Sequence, residues 1–320
     1  MSDFGSLDAP VLPTGAGRWS PSARWDEPGE PYAAVVETHT AVVVFIGDRA
    51  YKVKKPVQMA FLDFRDRAAR RADCDQEVAL NRRLSPDTYL GVAEVRGPAQ
   101  TPGEPVVVMR RLPASRRLST LVTAGVDVAD ALRDAARRVA IMHEGLDPLP
   151  DIDLWELTDR LWRQGFTQLA ELAGGLLDRR VLGECEALAL SYLAGRRELF
   201  ASRVRQGRVR DGHGDLLADD VFCLDDGVRI LDALEFDPGL RLGDVLADAA
   251  FLAMDLERLG RPELARLFLD AYAEFTAETH PPSLEHHYVA YRAFVRAKVE
   301  CLRSAQGTRP APAEPRYCST

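Results

Sequence analysis

The hydrophobic period of the chain changes near Leu112-Pro113, and that change limits what it can fold into. Ahead of it the apolar residues come in short runs of β character. Over residues 40–55, Ala-Val-Val-Val-Phe-Ile and Ala-Tyr-Lys-Val-Lys flank Gly47-Asp48-Arg49, the pattern of two antiparallel strands joined by a tight turn. A second strand pair is expected over 92–95 and 104–109, divided by Gln100-Thr101-Pro102-Gly103. One helix interrupts them, a strongly charged stretch over 64–84 with Val78, Leu80 and Leu84 apolar and Ser85-Pro86 to stop it. Beyond Pro113 apolar residues recur at three and four over 128–143, 154–172 and 177–205, and helices resume around 245–256 and 283–303. The expected class is α+β with two lobes: a small antiparallel sheet carrying one main helix, then a larger, mainly helical lobe. A chain of 320 residues is long enough for both cores.

Residues 1–30 are punctuated by Pro and Gly, with Trp19 and Trp25 to pin them, and read as an arm; residues 304–320 read as a flexible tail. The lobes then occupy 31–112 and 113–303. With 46% hydrophobic and 28% charged residues the composition is that of a globular protein. A net charge of -8 opposes nucleic-acid binding, so no nucleic-acid partner is expected. Five scattered cysteines without a C-x-x-C spacing suggest neither zinc nor a disulfide framework, and fit a reducing cytoplasm. No basic leader with an apolar stretch and no run of 18 apolar residues is present, so no membrane partner is expected either. Nothing in the sequence speaks to oligomeric state.

Inside the helical half lies one island of β character, 221–224 and 228–231 around Asp225-Asp226-Gly227. His213-Gly214-Asp215-Leu216-Leu217-Ala218-Asp219-Asp220 precedes it and Asp232 closes its return strand. A hairpin flanked by acids suits phosphoryl transfer, which needs one carboxylate to take the acceptor's proton and further oxygen ligands for Mg2+. Asp215 is the candidate base; Asp220 and Asp232 are the candidate metal ligands. Kinases also hold the nucleotide phosphates with a strand lysine paired to a glutamate on the next helix. Lys52 and Glu77 occur in that order, although Lys54 shares the strand face of Lys52, and Asp73 and Asp75 crowd the turn of Glu77.

From about residue 35 to 303 these motifs resemble the aminoglycoside phosphotransferase-like, choline and fructosamine kinase-like branch of the protein-kinase-like superfamily. Ala-Tyr-Lys-Val-Lys-Lys-Pro-Val, Phe-Leu-Asp-Phe, Leu-Asn-Arg-Arg-Leu and Tyr-Leu-Gly-Val are similar to an uncharacterised bacterial subgroup of it, sometimes fused to a P-loop ATPase domain. The resemblance implies a two-lobed protein-kinase-like fold, ATP and Mg2+ as cofactors, and a small-molecule hydroxyl acceptor. It implies Asp215 as base, with Asp220, Asp232, Gly243-Asp244 and Asp248 as counterparts of the family's metal and helix acids. Asp220 stands where the family has Asn. Asp232, Glu235 and Asp237 all compete for the second metal position, Asp232 ranking first by hairpin length.

No G-x-G-x-x-G precedes the first hairpin; Glu37-Thr38-His39-Thr40-Ala41 takes the place of the phosphate-covering loop, with Thr38 and Thr40 as hydroxyl donors. The link Val107-Val108-Met109-Arg110-Arg111-Leu112 resembles the hinge that receives adenine, at Met109 and Arg110. His143 reads as structural, His286-His287 as surface residues, and Arg292, Arg296 and Lys298 as a solvated helix face, ahead of the alternative that their helix borders the acceptor cleft as it can in the fold this chain resembles. The function these features imply is transfer of the γ-phosphate of ATP to a hydroxyl of a small molecule; the alternatives are a pseudokinase used as a regulatory module and a protein kinase.

Overall fold

Three strands open the chain's regular structure: β1 (Ala33–Glu37), β2 (Ala41–Ile46) and β3 (Arg49–Lys54). A computed structural model of the protein describes them among residues 27, 29–59, 62–96, 102–172 and 177–305. Gly47 makes the β2–β3 turn at φ +56°, a conformation glycine adopts without steric cost. The short strands β4 (Gln58–Met59) and β5 (Leu62–Asp63) pair with each other and lead into α1 (Arg67–Asn81), which ends before Ser85-Pro86 as its stop signal requires. β6 (Tyr89–Val95) and β7 (Glu104–Arg110) complete an antiparallel sheet ordered β1-β2-β3-β7-β6. β7 lies between two partners, so its Val106 and Val107 are fully buried. β1 was not expected from sequence: its outer position leaves Val35 and Val36 exposed, and no alternation marks it.

The described residues divide into two compact units, one running to Val78 and adding Asp87–Arg111, the other comprising Ala79–Pro86 and the described residues from Leu112 on. The second holds α2 (Leu118–Thr123), α3 (Ala129–Glu144), α4 (Leu154–Leu172), α5 (Arg179–Leu193) and α6 (Arg197–Arg205). The single helix expected over 177–205 is two. The chain breaks at Ala194-Gly195-Arg196, where Gly195 takes φ +74°. There follow β8 (Val209–Asp211), the hairpin β9 (Val221–Leu224) and β10 (Gly227–Ile230), then β11 (Leu242–Asp244), which pairs with β8. α7 (Val245–Arg258), α8 (Pro262–Thr276) and α9 (Pro282–Ala305) end the described chain.

α7 is the axis of this lobe. Val245 through Leu256 are all buried, and the helix packs against both α8 and α9 while α3 packs on α8. A helix apolar on every side belongs in an interior. α8 escaped the sequence expectation although Pro262 starts it and Leu264, Ala265, Phe268, Leu269, Ala271 and Tyr272 give it a regular buried stripe. Among the described residues no helix is long and apolar enough to cross a membrane. The expected arm and tail fall almost wholly outside the described residues.

Candidate active site

In the sheet lobe, the pleat of β3 turns Lys52 and Lys54 to one face, and α1 presents Glu77 to both. Lys52 Nζ lies 2.8 Å from Glu77 Oε1. The glutamate is fully buried and Lys52 remains partly open to solvent. The Thr38–Thr40 segment forms the bend between β1 and β2. The Thr38 hydroxyl is taken up there, receiving the Ala41 amide at 3.0 Å and donating to the Ala41 carbonyl at 3.1 Å. Lys55 Nζ donates to the Thr38 carbonyl at 2.5 Å, and the Thr40 carbonyl accepts from the Lys55 amide at 2.7 Å. Met109 is buried in β7 between Ala50 and Tyr89. The Arg110 and Arg111 amides already donate to the carbonyls of Thr88 and Asp48, each at 2.8 Å.

In the helical lobe, Asp215 sits in a loop that hydrogen bonds fix at both ends. Asp248, on α7, receives the His213 amide on Oδ2 at 2.7 Å and the Gly214 amide on Oδ1 at 2.8 Å. Its Oδ2 also accepts from His143 Nε2 at 2.9 Å, while His143 Nδ1 meets the Tyr272 hydroxyl at 2.8 Å. Burial works to raise the Asp248 carboxyl, but the hydrogen bond and charge of His143 outweigh it and hold it far below the usual range. Two helical turns on, Asp255 Oδ2 takes the Ala218 amide at 3.0 Å. One face of α7 thus holds the loop at residues 213–214 and again at 218. Gly212 is required by this approach, since a Cβ there would stand 2.5 Å from Asp248 Oδ2. Gly214, at φ +86°, would press a Cβ to 3.0 Å from the Arg241 side chain.

The buried His213 ring clips the loop to the hairpin's return segment, with Nε2 donating to the Leu231 carbonyl at 3.0 Å and the Leu234 amide donating to the His213 carbonyl at 3.0 Å. Burial lowers its pKa against the pull of Asp248, which favours the neutral ring. Ile230 pairs with Val221 in the hairpin, and the Leu231 amide extends the ladder to the Asp220 carbonyl at 2.9 Å. Asp220 and Asp232 therefore flank the hairpin's open end. Asp232 adopts φ +63°, a conformation that costs a non-glycine residue about 1 kcal/mol. Burial first, then the charges of Asp232 and Asp215, push the Asp220 carboxyl well above its ordinary value, with Arg117 pulling the other way. Asp220 is thus close enough to feel the charges of the two other sequence-predicted acids. Asp237, by contrast, caps the turn Pro238–Leu240 by accepting the Gly239 amide at 2.9 Å, and Glu235 lies half-buried between it and Asp232.

Several supporting residues were not foreseen. Arg117 donates to the Asp219 carbonyl and stacks its guanidinium 4.7 Å from the Phe222 ring, while the Ser119 hydroxyl donates to the Asp219 carboxylate. Nothing in a linear pattern links 117 to 219. Asp255 did leave a signal: Asp248 and Asp255 are acids seven apart in an otherwise apolar helix, hence on one face. Two expectations are corrected. His287 is buried, accepting from Trp162 Nε1 at 3.2 Å and stacked 4.3 Å from Tyr192, so of the pair His286-His287 only His286 is a surface residue. Arg292 is half-buried, donating to the Ala247 carbonyl at 2.8 Å and lying 4.6 Å from the Phe251 ring, and Arg296 and Lys298 are half-buried too.

A small antiparallel sheet lobe with one helix, followed by a helical lobe that carries a loop and a short hairpin, is the protein-kinase-like fold in the form shared by choline kinase. The chain is similar in structure to choline kinase from Cryptosporidium parvum Iowa II, with a TM-score of 0.50 at 14% identity over 86% of this chain and 84% of that one. An aminoglycoside phosphotransferase from Streptomyces rimosus, solved with ADP and streptomycin, matches at a TM-score of 0.48 and 17% identity over 83% of this chain and 94% of that one. In sequence the chain is 45% identical over 288 residues to uncharacterized proteins of Mycobacterium tuberculosis and Mycobacterium bovis, covering 89% of this chain. It spans 58% of the length of those relatives. No family model matches the sequence.

Proposed function

We propose that the protein is an ATP- and Mg2+-dependent phosphotransferase that moves the γ-phosphate to a hydroxyl of a small-molecule acceptor. The observation that carries this is the gathering of Asp215, Asp220 and Asp232 around the open end of one hairpin, on a loop that α7 fixes from beneath. Acids that act on one another's charge at one end of a hairpin suit a hard divalent cation with oxygen ligands. Asp220 and Asp232 would hold Mg2+, which supplies charge neutralisation at the β- and γ-phosphates. Asp237 and Glu235 rank behind Asp232, because the Asp237 side chain already serves as a cap.

Asp215 orients the acceptor hydroxyl and takes its proton. Lys52, set by Glu77, binds the α/β-phosphates; the Thr38–Thr40 bend covers the phosphates, and the end of β7 at Met109 and Arg110 receives the adenine. Most of the rate enhancement then comes from positioning and fixed charge, as phosphoryl transfer requires. The choline kinase likeness supports a small hydroxyl compound over a protein as acceptor.

The test is ADP release by the purified chain with ATP, Mg2+ and a library of hydroxyl metabolites. Activity should depend on Mg2+ and vanish in Asp215→Ala while ADP binding persists. Full turnover in that variant would remove Asp215 as the base. Nucleotide binding without turnover on any acceptor favours the pseudokinase, and labelling of lysate proteins the protein kinase.

A further inference from the structure

Two lysines of β3 reach one glutamate, and they do so differently. Lys52 Nζ lies 2.8 Å from Glu77 Oε1, whereas Lys54 Nζ lies 2.7 Å from Glu77 Oε2 and 2.8 Å from Asp73 Oδ2. Asp73 and Glu77 are four apart on α1 and so share a face, just as the lysines, two apart, share one on β3. The Lys54 side chain is 1% exposed against 14% for Lys52, which decides that of the two only Lys52 meets a ligand. Lys54 also stands 5.8 Å from the Phe64 ring, which is itself buried.

We propose that Lys54 is a positioning residue for the phosphate-binding lysine: it neutralises Asp73 and holds the second oxygen of Glu77, leaving the ammonium of Lys52 to serve the nucleotide. This rests on the role proposed above for Lys52. The physical basis is the bridge Lys54 makes between Asp73 and Glu77. Without it, two like charges one helical turn apart lose the ammonium between them, and Lys52 is drawn toward them, away from its ligand. Removing Asp73 as well takes away the carboxylate that Lys54 neutralises, and with it the added pull on Lys52.

The experiment follows Lys52 directly, by reductive dimethylation with formaldehyde quantified residue by residue in peptide mass spectra. In Lys54→Met, modification of Lys52 should slow by roughly tenfold, the scale of one added charge-assisted hydrogen bond. Lys54→Met/Asp73→Asn should return to the rate of the unaltered protein, and Asp73→Asn alone should stay there. MgADP affinity should fall and recover in parallel, while adenosine affinity stays constant, because only the phosphates meet Lys52. If Lys54→Met melts the lobe, Lys54→Gln repeats the test with a side chain that keeps a hydrogen bond and loses the charge. An unchanged Lys52 rate in a folded Lys54 variant, or no recovery with Asp73→Asn, overturns the proposal. Should the unaltered protein bind no ADP, the nucleotide role of Lys52 falls, and the dimethylation rates still decide what Lys54 does.

Discussion

Replacing Asp248 by asparagine should destabilise the helical lobe by about 2–4 kcal/mol, even though the two side chains have nearly the same shape. The cause is a donor count. Asp248 Oδ1 receives one backbone amide, from Gly214, and Oδ2 receives another, from His213, together with His143 Nε2. An asparagine has one oxygen and one NH2 group. Whichever way it turns, the NH2 faces one of those two backbone N–H groups, leaving a buried donor unsatisfied at about 1–3 kcal/mol. Loss of the carboxylate charge weakens the bonds that remain by a further ~1 kcal/mol. Asp248→Ala orphans both amides and should cost about 3–5 kcal/mol, the range seen when one partner of a buried charged pair is removed. Equilibrium urea denaturation followed by tryptophan fluorescence is the assay, since Trp155 and Trp162 lie on α4 in the same lobe. A shift of the midpoint at constant slope gives the energy. If Asp248→Asn stays within about 0.5 kcal/mol of the unaltered protein, the size of an ordinary surface substitution, α7 does not hold the loop in the way its geometry indicates.

Gly212→Ala should approach the cost of Asp248→Asn, because a Cβ 2.5 Å from the Asp248 carboxylate displaces the acceptor of the same amides; thermal melting reads it, and a neutral result would mean the loop tolerates a shift. Lys52→Met should reduce MgADP affinity by about tenfold, the worth of a charge-assisted contact, and leave adenosine affinity unchanged in calorimetry. His280, bonded to Glu278 and Glu285, has its pKa raised from 6.5 to about 9. Its contribution to stability is therefore full below about pH 6.5 and disappears as pH rises through 9; the difference in melting temperature between His280→Gln and the unaltered protein should shrink over that window. Burial lowers His287 from 6.5 to about 4, so the unfolded chain binds the extra proton between those values and stability should fall as pH drops through them, a slope that His287→Phe removes.

The order of elements around the candidate site was legible because each rests on local chemistry. Gly47 and Gly227 mark turns, Ser85-Pro86 ends a helix, and period alone gives α3, α4 and α7. Elements whose signal is weak or non-local were missed: β1 at the sheet's edge, β8 with its partner β11 thirty residues away, and the break of the α5–α6 stretch at Gly195. His287 was misjudged for the same reason, since a histidine on a helix is buried or exposed according to what packs over it, and Trp162 and Tyr192 come from other helices.

By itself, then, the sequence determined which chemistry is available: a loop with Asp215, acids on either side of a hairpin, and lysines on a strand ahead of an acidic helix. Only the tertiary structure decided how those groups are used. It set Lys52 on one oxygen of Glu77 and Lys54 on the other, engaged Asp237 as a cap, brought Asp220 within reach of the charges of Asp232 and Asp215, and gave Asp248 and Asp255 the task of holding the loop. Residue types fix what a side chain is able to donate or accept. Which partner it meets, and how much water is excluded around the pair, depends on contacts made across dozens of residues of chain.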